Sequence, residues 1–125
     1  MFSDPISVLY EGAAHNHART SADNPSTFTY VDETDGVTQT VSVRQTTSKS
    51  RFRHEFRISR SKIAADPITL ANGEIGASVY LVIDEPRAGF TDTDLNDIAA
   101  SLFKYLSGAA PSDTTNVLKL LTGEY

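Results

Sequence analysis

The sequence predicts an α+β fold in which antiparallel strands come first and two helices come last. Before Pro86, several segments alternate between apolar and polar residues, which is typical of strands that bury one face. After Thr91, apolar residues instead recur at helical spacing. The chain has 125 residues, enough for one core, so we expect residues 1–125 to form a single domain.

The N-terminal part, at about residues 1–25, is predicted to be a β-hairpin. Its first strand is 6–10, and residues 14–21 would return as the second strand. His15 and His17 lie two residues apart on that second strand, a spacing that suits a metal ion, but no third ligand is evident. We therefore expect both histidines to belong to the surface of the hairpin.

The central part, at about residues 26–86, is predicted to be an antiparallel sheet. Residues 26–31 alternate in character, and the run Asp32–Gly36 that follows is a strong turn signal. A strand at 36–47 and a strand at 51–59 come next, joined by a short polar connection. A loop at about residues 65–74 then leads to the last strand, which ends at Pro86.

The C-terminal part, at about residues 91–123, is predicted to contain two helices. Thr91 offers an N-cap with acidic residues in the first turn, and Gly108 lies where this helix would end. Pro111 would begin a shorter helix that stops at Gly123. Because only a few residues join the helices, they could cover their own sheet or reach onto a second copy of the chain, and the sequence leaves that choice open.

Positive charge is concentrated in one segment of an acidic chain. Between Arg44 and Lys62 there are seven basic residues and one acidic residue, a charge of +6, whereas the rest of the chain carries −11. This pattern fits a localised surface that binds a polyanion such as a nucleic acid. It fits equally well a solvated strand pair whose arginines keep a sheet edge soluble.

Alternation places most of these charges on one face of the predicted sheet. The strands at 36–47 and 51–59 would pair antiparallel with their apolar residues directed to the core. The opposite face, which we call the polar face, then carries Thr40, Ser42, Arg44, Arg51, Arg53, Glu55 and Arg57. Arginines at such positions can contact phosphates, and the hydroxyls can bond to an unpaired base.

Several functional classes lack support in the sequence. The chain has no cysteine, which excludes a disulfide framework, a thiolate nucleophile and a cysteine-ligated metal. It has neither a phosphate-binding glycine loop nor a Gly-x-Ser-x-Gly turn, so we expect no enzyme activity, no cofactor and no bound metal. The longest near-apolar run, 79–83, is too short to cross a bilayer and the start lacks signal-peptide features, so we expect no membrane partner.

The order of these features resembles a known protein family. The segment Val41–Thr47, VSVRQTT, is followed by a short polar turn, a basic alternating strand and the tripeptide at 62–64. Later come the strand ending at Pro86, the two helices and a final Gly-x-Tyr at 123–125. From residue 41 to the end, this arrangement is similar to that of coat proteins of single-stranded RNA bacteriophages of the levivirus type.

The resemblance implies both a fold and a function. The fold has an N-terminal β-hairpin, an antiparallel five-stranded sheet and two C-terminal helices, and it forms an intertwined dimer with a continuous ten-stranded sheet. The dimers would build an icosahedral T=3 capsid in the bacterial host cytoplasm and become part of the virion. The implied partners are further copies of the chain, the single-stranded RNA genome, and an RNA hairpin whose binding represses translation of the replicase.

The resemblance also implies RNA-binding positions, which are Thr40, Ser42, Arg44, Arg51, Arg53, Glu55, Arg57 and Tyr80. An alignment anchored on Pro86 places Ser78, rather than Tyr80, at the base-stacking tyrosine of the family. Glu55 stands where well-known members have a lysine. The alternative function is a cellular dimeric regulator that binds nucleic acid through the same basic sheet face.

Overall fold

The computed structural model describes residues 2–109 and 112–124. Pro111 and Tyr125, which the sequence assigned to a helix start and to the final Gly-x-Tyr, lie outside the described residues. The chain divides into two compact units, Met1–Arg87 and Ala88–Tyr125. The first contains all the strands and the second both helices, so the predicted α+β order is confirmed.

The first unit is one antiparallel sheet whose strands follow each other in sequence order. They are β1 (Ile6–Tyr10), β2 (Ala13–Ser21), β3 (Ser26–Asp32), β4 (Val37–Thr47), β5 (Arg51–Ala65) and β6 (Asn72–Pro86). The N-terminal hairpin, β1 and β2, joins the sheet through the pairing of β2 with β3, so the sheet has six strands. The loop expected at about 65–74 is shorter and spans 66–71, because β5 and β6 pair along their whole lengths.

The turn between β3 and β4 is built by the residues that predicted it. The Asp32 Oδ1 atom accepts hydrogen bonds from the backbone nitrogens of Thr34, at 3.0 Å, and Asp35, at 3.4 Å. Gly36 has a φ of +66°, a conformation that costs little only without a β-carbon. The turn fixes the register of β3 on β4, in which Phe28 faces Val41.

The sheet curls so that its first strand returns over one of its faces. We call this the core face, and it carries the fully buried side chains of Phe28, Val41, His17 and Gln39. The Gln39 side chain on β4 donates a hydrogen bond of 3.2 Å to the carbonyl of Leu9 on β1. In a flat sheet these strands would be three steps of about 4.8 Å apart, so the contact requires a strong curl.

His17 is not a surface residue, and the prediction was wrong for it. Its side chain is 0% exposed. The Gln39 amide donates to its Nε2 atom at 3.1 Å, and its Nδ1 atom donates to the His15 carbonyl at 3.0 Å. The hairpin is held over the core face by these bonds, a long-range effect that the local pattern of β2 did not reveal.

The second unit consists of α1 (Asp92–Ser107) and α2 (Thr115–Leu121). Thr91 is the N-cap of α1, as predicted, and it forms a reciprocal capping box with Asp94. At its other end Asp113 accepts hydrogen bonds from Thr115 and from the Ala109 backbone, which lower the pKa of its carboxyl, the Thr115 hydroxyl contributing most. No described residue of either helix is buried, and neither helix has the length and apolar character needed to cross a membrane.

Candidate nucleic-acid interface

All eight residues assigned to RNA binding lie on the same face of the sheet. Residues directly opposite each other in an antiparallel pair have side chains on the same side. In the register, Ser42 faces Arg57, which in turn faces Tyr80 on β6. The remaining positions follow from the same alternation and are Thr40, Arg44, Arg51, Arg53 and Glu55. The structure therefore brings the predicted residues together on the polar face, with Tyr80 added to it.

The polar face has a charged end and a hydroxyl end. Toward Pro86 its rows carry the arginines, Glu55 and Asp84. In the other direction the rows carry hydroxyl groups, and a shallow cavity of about 240 Å³ lies among Thr38, Thr40, Ser59, Ser61 and Ser78. A larger cavity, of about 580 Å³, opens beside Phe2 and Arg19 on the other side of the sheet, away from the predicted residues.

Two cations of β5 do not belong to the polar face. Arg60 faces Gln39 and Lys62 faces Ile75, so both lie on the core side of the sheet. The Arg60 guanidinium donates to Gln39 Oε1 at 2.6 and 3.1 Å and lies over the Tyr10 ring, 4.6 Å from its centroid. Arg60 therefore holds the curled hairpin and does not add to the charge of the polar face.

Two arginines of the polar face already hold carboxylates. The Nε atom of Arg51 lies 2.7 Å from Asp84 Oδ1, and the Nε atom of Arg57 lies 3.1 Å from Glu55 Oε1. Among the described residues, no ion pair involves Arg44 or Arg53. The positive field of this face is consequently weaker than the sequence suggests, and it is concentrated on Arg44 and Arg53.

Tyr80 is an exposed aromatic residue with a cation over its ring. Its side chain is 55% exposed, and the guanidinium carbon of Arg57 lies 4.5 Å from the ring centroid. Ser78, the other candidate for this position, lies two residues away on the same face, opposite Ser59. Of the two, Tyr80 therefore provides the aromatic surface next to the charged end.

Sequence reasoning missed the role of Asp84. The residue lies on β6 at the same parity as Tyr80, which is a signal that its carboxylate would face the arginines of β5. Its neighbour Glu85 points to the core side, where its Oε1 atom lies 2.9 Å from Nε2 of His54. His54 is also hydrogen-bonded to Gln45 and remains partly exposed.

Solved structures similar to this chain are those of virus-like particles. The structure of the virus-like particle of bacteriophage AVE019 matches with a TM-score of 0.61 and 13% identity, over 93% of this chain and 95% of that chain. That of bacteriophage GQ-112 matches with a TM-score of 0.46 and 17% identity, over 98% and 90%. No model of a known protein family and no curated protein matches the sequence. At the level of the fold, the likeness to the AVE019 particle confirms the resemblance to bacteriophage coat proteins.

Proposed function

We propose that this chain is the coat protein of a bacteriophage, which assembles into a closed shell around single-stranded RNA. The observation that carries the proposal is the likeness in fold to a virus-like particle over nearly the whole of both chains. Residues 1–125 would act as one coat-protein domain with a structural role and no catalytic activity. The protein would reside in the virion after assembly in the cytoplasm of the bacterial host.

The first step of assembly would be an intertwined dimer. β6 is the last strand in the sheet order, so one side of its backbone has no strand beside it among the described residues. Pairing of two β6 edges would join β2 to β6 of each copy into a continuous sheet of ten strands. Apolar side chains support a covering partner, since Val79 on β6 is 80% exposed and α1 and α2 carry Ile98, Leu118 and Leu121 exposed.

The polar face is the surface that would bind RNA. Arg44 and Arg53 would hold phosphates, and Arg51 could join them by exchanging Asp84 for a phosphate. The hydroxyls of Thr40 and Ser42 would contact base edges, and Glu55, Arg57 and Tyr80 would complete the site. Binding of an RNA hairpin there would repress translation of the replicase and mark the genome for packaging.

Light scattering behind a size-exclusion column, with absorbance at 260 and 280 nm, tests the proposal on protein expressed alone in bacteria. We expect particles of megadalton mass whose absorbance ratio indicates nucleic acid. A discrete dimer that binds nucleic acid but never forms particles would support the cellular regulator instead. A species that carries no nucleic acid and stays small when RNA is added would refute both functions.

A further inference from the structure

Arg57 is held between two other residues of the polar face. Its guanidinium carbon lies over the Tyr80 ring, 4.5 Å from the centroid. Its Nε atom is buried and lies 3.1 Å from Glu55 Oε1, an ion pair whose geometry is not that of a hydrogen bond. Glu55 is itself the more enclosed partner, with a side chain 17% exposed against 39% for Arg57. The guanidinium therefore lies between a carboxylate beside one edge and an aromatic ring beneath it.

This arrangement changes which surface is free to stack on a base. One face of the Tyr80 ring is occupied by the guanidinium, so a base can reach that face only if Arg57 leaves both partners. A guanidinium is planar and stacks on aromatic rings, and bases stack on arginine planes as well as on aromatic side chains. The accessible part of Arg57 thus offers a stacking surface that is already in place.

The charge pattern separates the tasks of the arginines. The charge of Arg57 is offset by Glu55, whereas Arg44 and Arg53 have no ion pair among the described residues and are available to phosphates. An unpaired arginine would also be mobile, because its long side chain keeps many rotamers. Glu55 therefore acts on Arg57 in two ways, since it orients the guanidinium and reduces its attraction for phosphate.

We infer that an unpaired RNA base stacks on the guanidinium of Arg57, with Tyr80 beneath it and Glu55 as the positioning residue. This inference rests on the proposed RNA-binding function and names the chemistry of one subsite within it. It also gives a reason for an acid at position 55, where the resemblance expected a lysine. The ligand is a single-stranded nucleotide, because a base within a duplex cannot leave its own stack without an energetic cost.

The test uses the full chain, purified free of nucleic acid, and a uridine oligonucleotide that contains a single 2-aminopurine. The fluorescence of this base falls when it stacks, so affinity and stacking are read from the same titration. In R57K, which keeps the charge but loses the plane, we expect the quenching to disappear and affinity to fall about tenfold, while the salt dependence stays unchanged. In E55Q we expect a steeper salt dependence together with weaker quenching.

R87K is the matched control, since the guanidinium of Arg87 also lies over an aromatic ring, that of Phe52 at 4.8 Å from the centroid, but Arg87 is not among the residues assigned to RNA binding. It should retain the quenching of the native protein, and all variants are compared by thermal melting to establish that they fold. Quenching that persists or increases in R57K would overturn the inference and place the base on Tyr80 itself. Failure of the native protein to bind the oligonucleotide at any salt concentration would instead overturn the RNA-binding proposal, and the inference with it.

Discussion

Both faces of the sheet carry arginines, but these arginines have different partners on the two faces. On the core face, the buried His17 and Gln39 and the more exposed Arg60 form a chain in which each side chain is hydrogen-bonded to the next. On the polar face, Arg51 and Arg57 hold carboxylates in partly exposed ion pairs. Arg57 and Arg60 are three residues apart on β5, so strand parity places one arginine on each face and thereby selects its partners.

The largest effect is expected from breaking the hydrogen-bonded chain on the core face. Gln39→Ala would remove the partner of the buried His17 Nε2 atom and, at less buried positions, one partner of Arg60 and of the Leu9 carbonyl, and each unsatisfied buried group costs about 1–3 kcal/mol. We expect the free energy of unfolding to fall by about 2–4 kcal/mol in urea titrations.

The matched control for Gln39→Ala is Gln45→Ala, six residues along the same strand face. Gln45 is exposed and bonds mainly to His54, so its removal should cost less than about 1 kcal/mol. Equal destabilisation of the two variants would show that the burial of Gln39 does not make its hydrogen bonds more important for stability than those of the exposed Gln45.

The next largest effect concerns RNA binding by the polar face. Replacing Arg51, Arg53 and Arg57 together by alanine should weaken binding of a hairpin RNA by about ten- to a hundredfold and reduce the RNA content of particles. The slope of log affinity against log salt should become shallower by roughly 0.7–0.9 for each phosphate that the protein no longer neutralises. A slope equal to that of the native protein would show that Arg51 and Arg53 do not bind phosphates.

A smaller effect on RNA affinity is expected from Asp84 and Glu85, two neighbouring acidic residues that lie on opposite faces of the sheet. Asp84→Asn releases Arg51 and should strengthen RNA binding at low salt by about two- to fivefold, because an exposed ion pair is worth only about 0–1 kcal/mol. Glu85→Gln alters the core side and should leave RNA affinity unchanged. Filter binding at two salt concentrations checks both variants, and a gain in Glu85→Gln would mean that net charge matters more than the face.

The smallest effect is a dependence on alkaline pH that belongs to the core face. Burial, followed by the carboxylates of Glu11 and Asp32, raises the pKa of Tyr10 above 10.0. The folded state therefore holds the hydroxyl proton of Tyr10 more tightly than the unfolded state does. The stability that this gives is fully present below pH 10 and is lost as pH rises through the raised pKa. Urea midpoints measured from pH 8 to 11 check this expectation. The fall in stability at high pH should be smaller in Tyr10→Phe than in the native protein, whereas Tyr80→Phe should show the same fall as the native protein.

The polar face could be predicted from sequence because it depends on a local rule. Alternation along β4 and β5 assigned Thr40, Ser42 and the arginines to one face, and pairing of adjacent strands placed them in rows. The partners of these arginines could not be assigned in the same way. The contact between Arg51 and Asp84 depends on the register of β6, which a loop of uncertain length left undetermined.

The core face shows the limit of the same rule. His17 was expected at the surface because β2 alone has a weak pattern, and its burial results from the curl that brings β1 and β2 over β4. Curl arises from the summed twist and bulges of many strands, including the irregular register between Arg19 and Ser21. The pattern of apolar and polar residues along one strand contains no information about the combined twist and bulges of the whole sheet.

The small number of buried apolar residues implies that the stability of the chain depends on its association with other copies, and hence on protein concentration. Among the described residues only Tyr10, Phe28, Val37 and Val41 are buried apolar side chains, and neither helix buries any. If copies associate as proposed, mass action makes the apparent melting temperature rise with concentration. Newly made chains would then be most vulnerable to proteases while they are few, and a rising rate of synthesis would protect each of them.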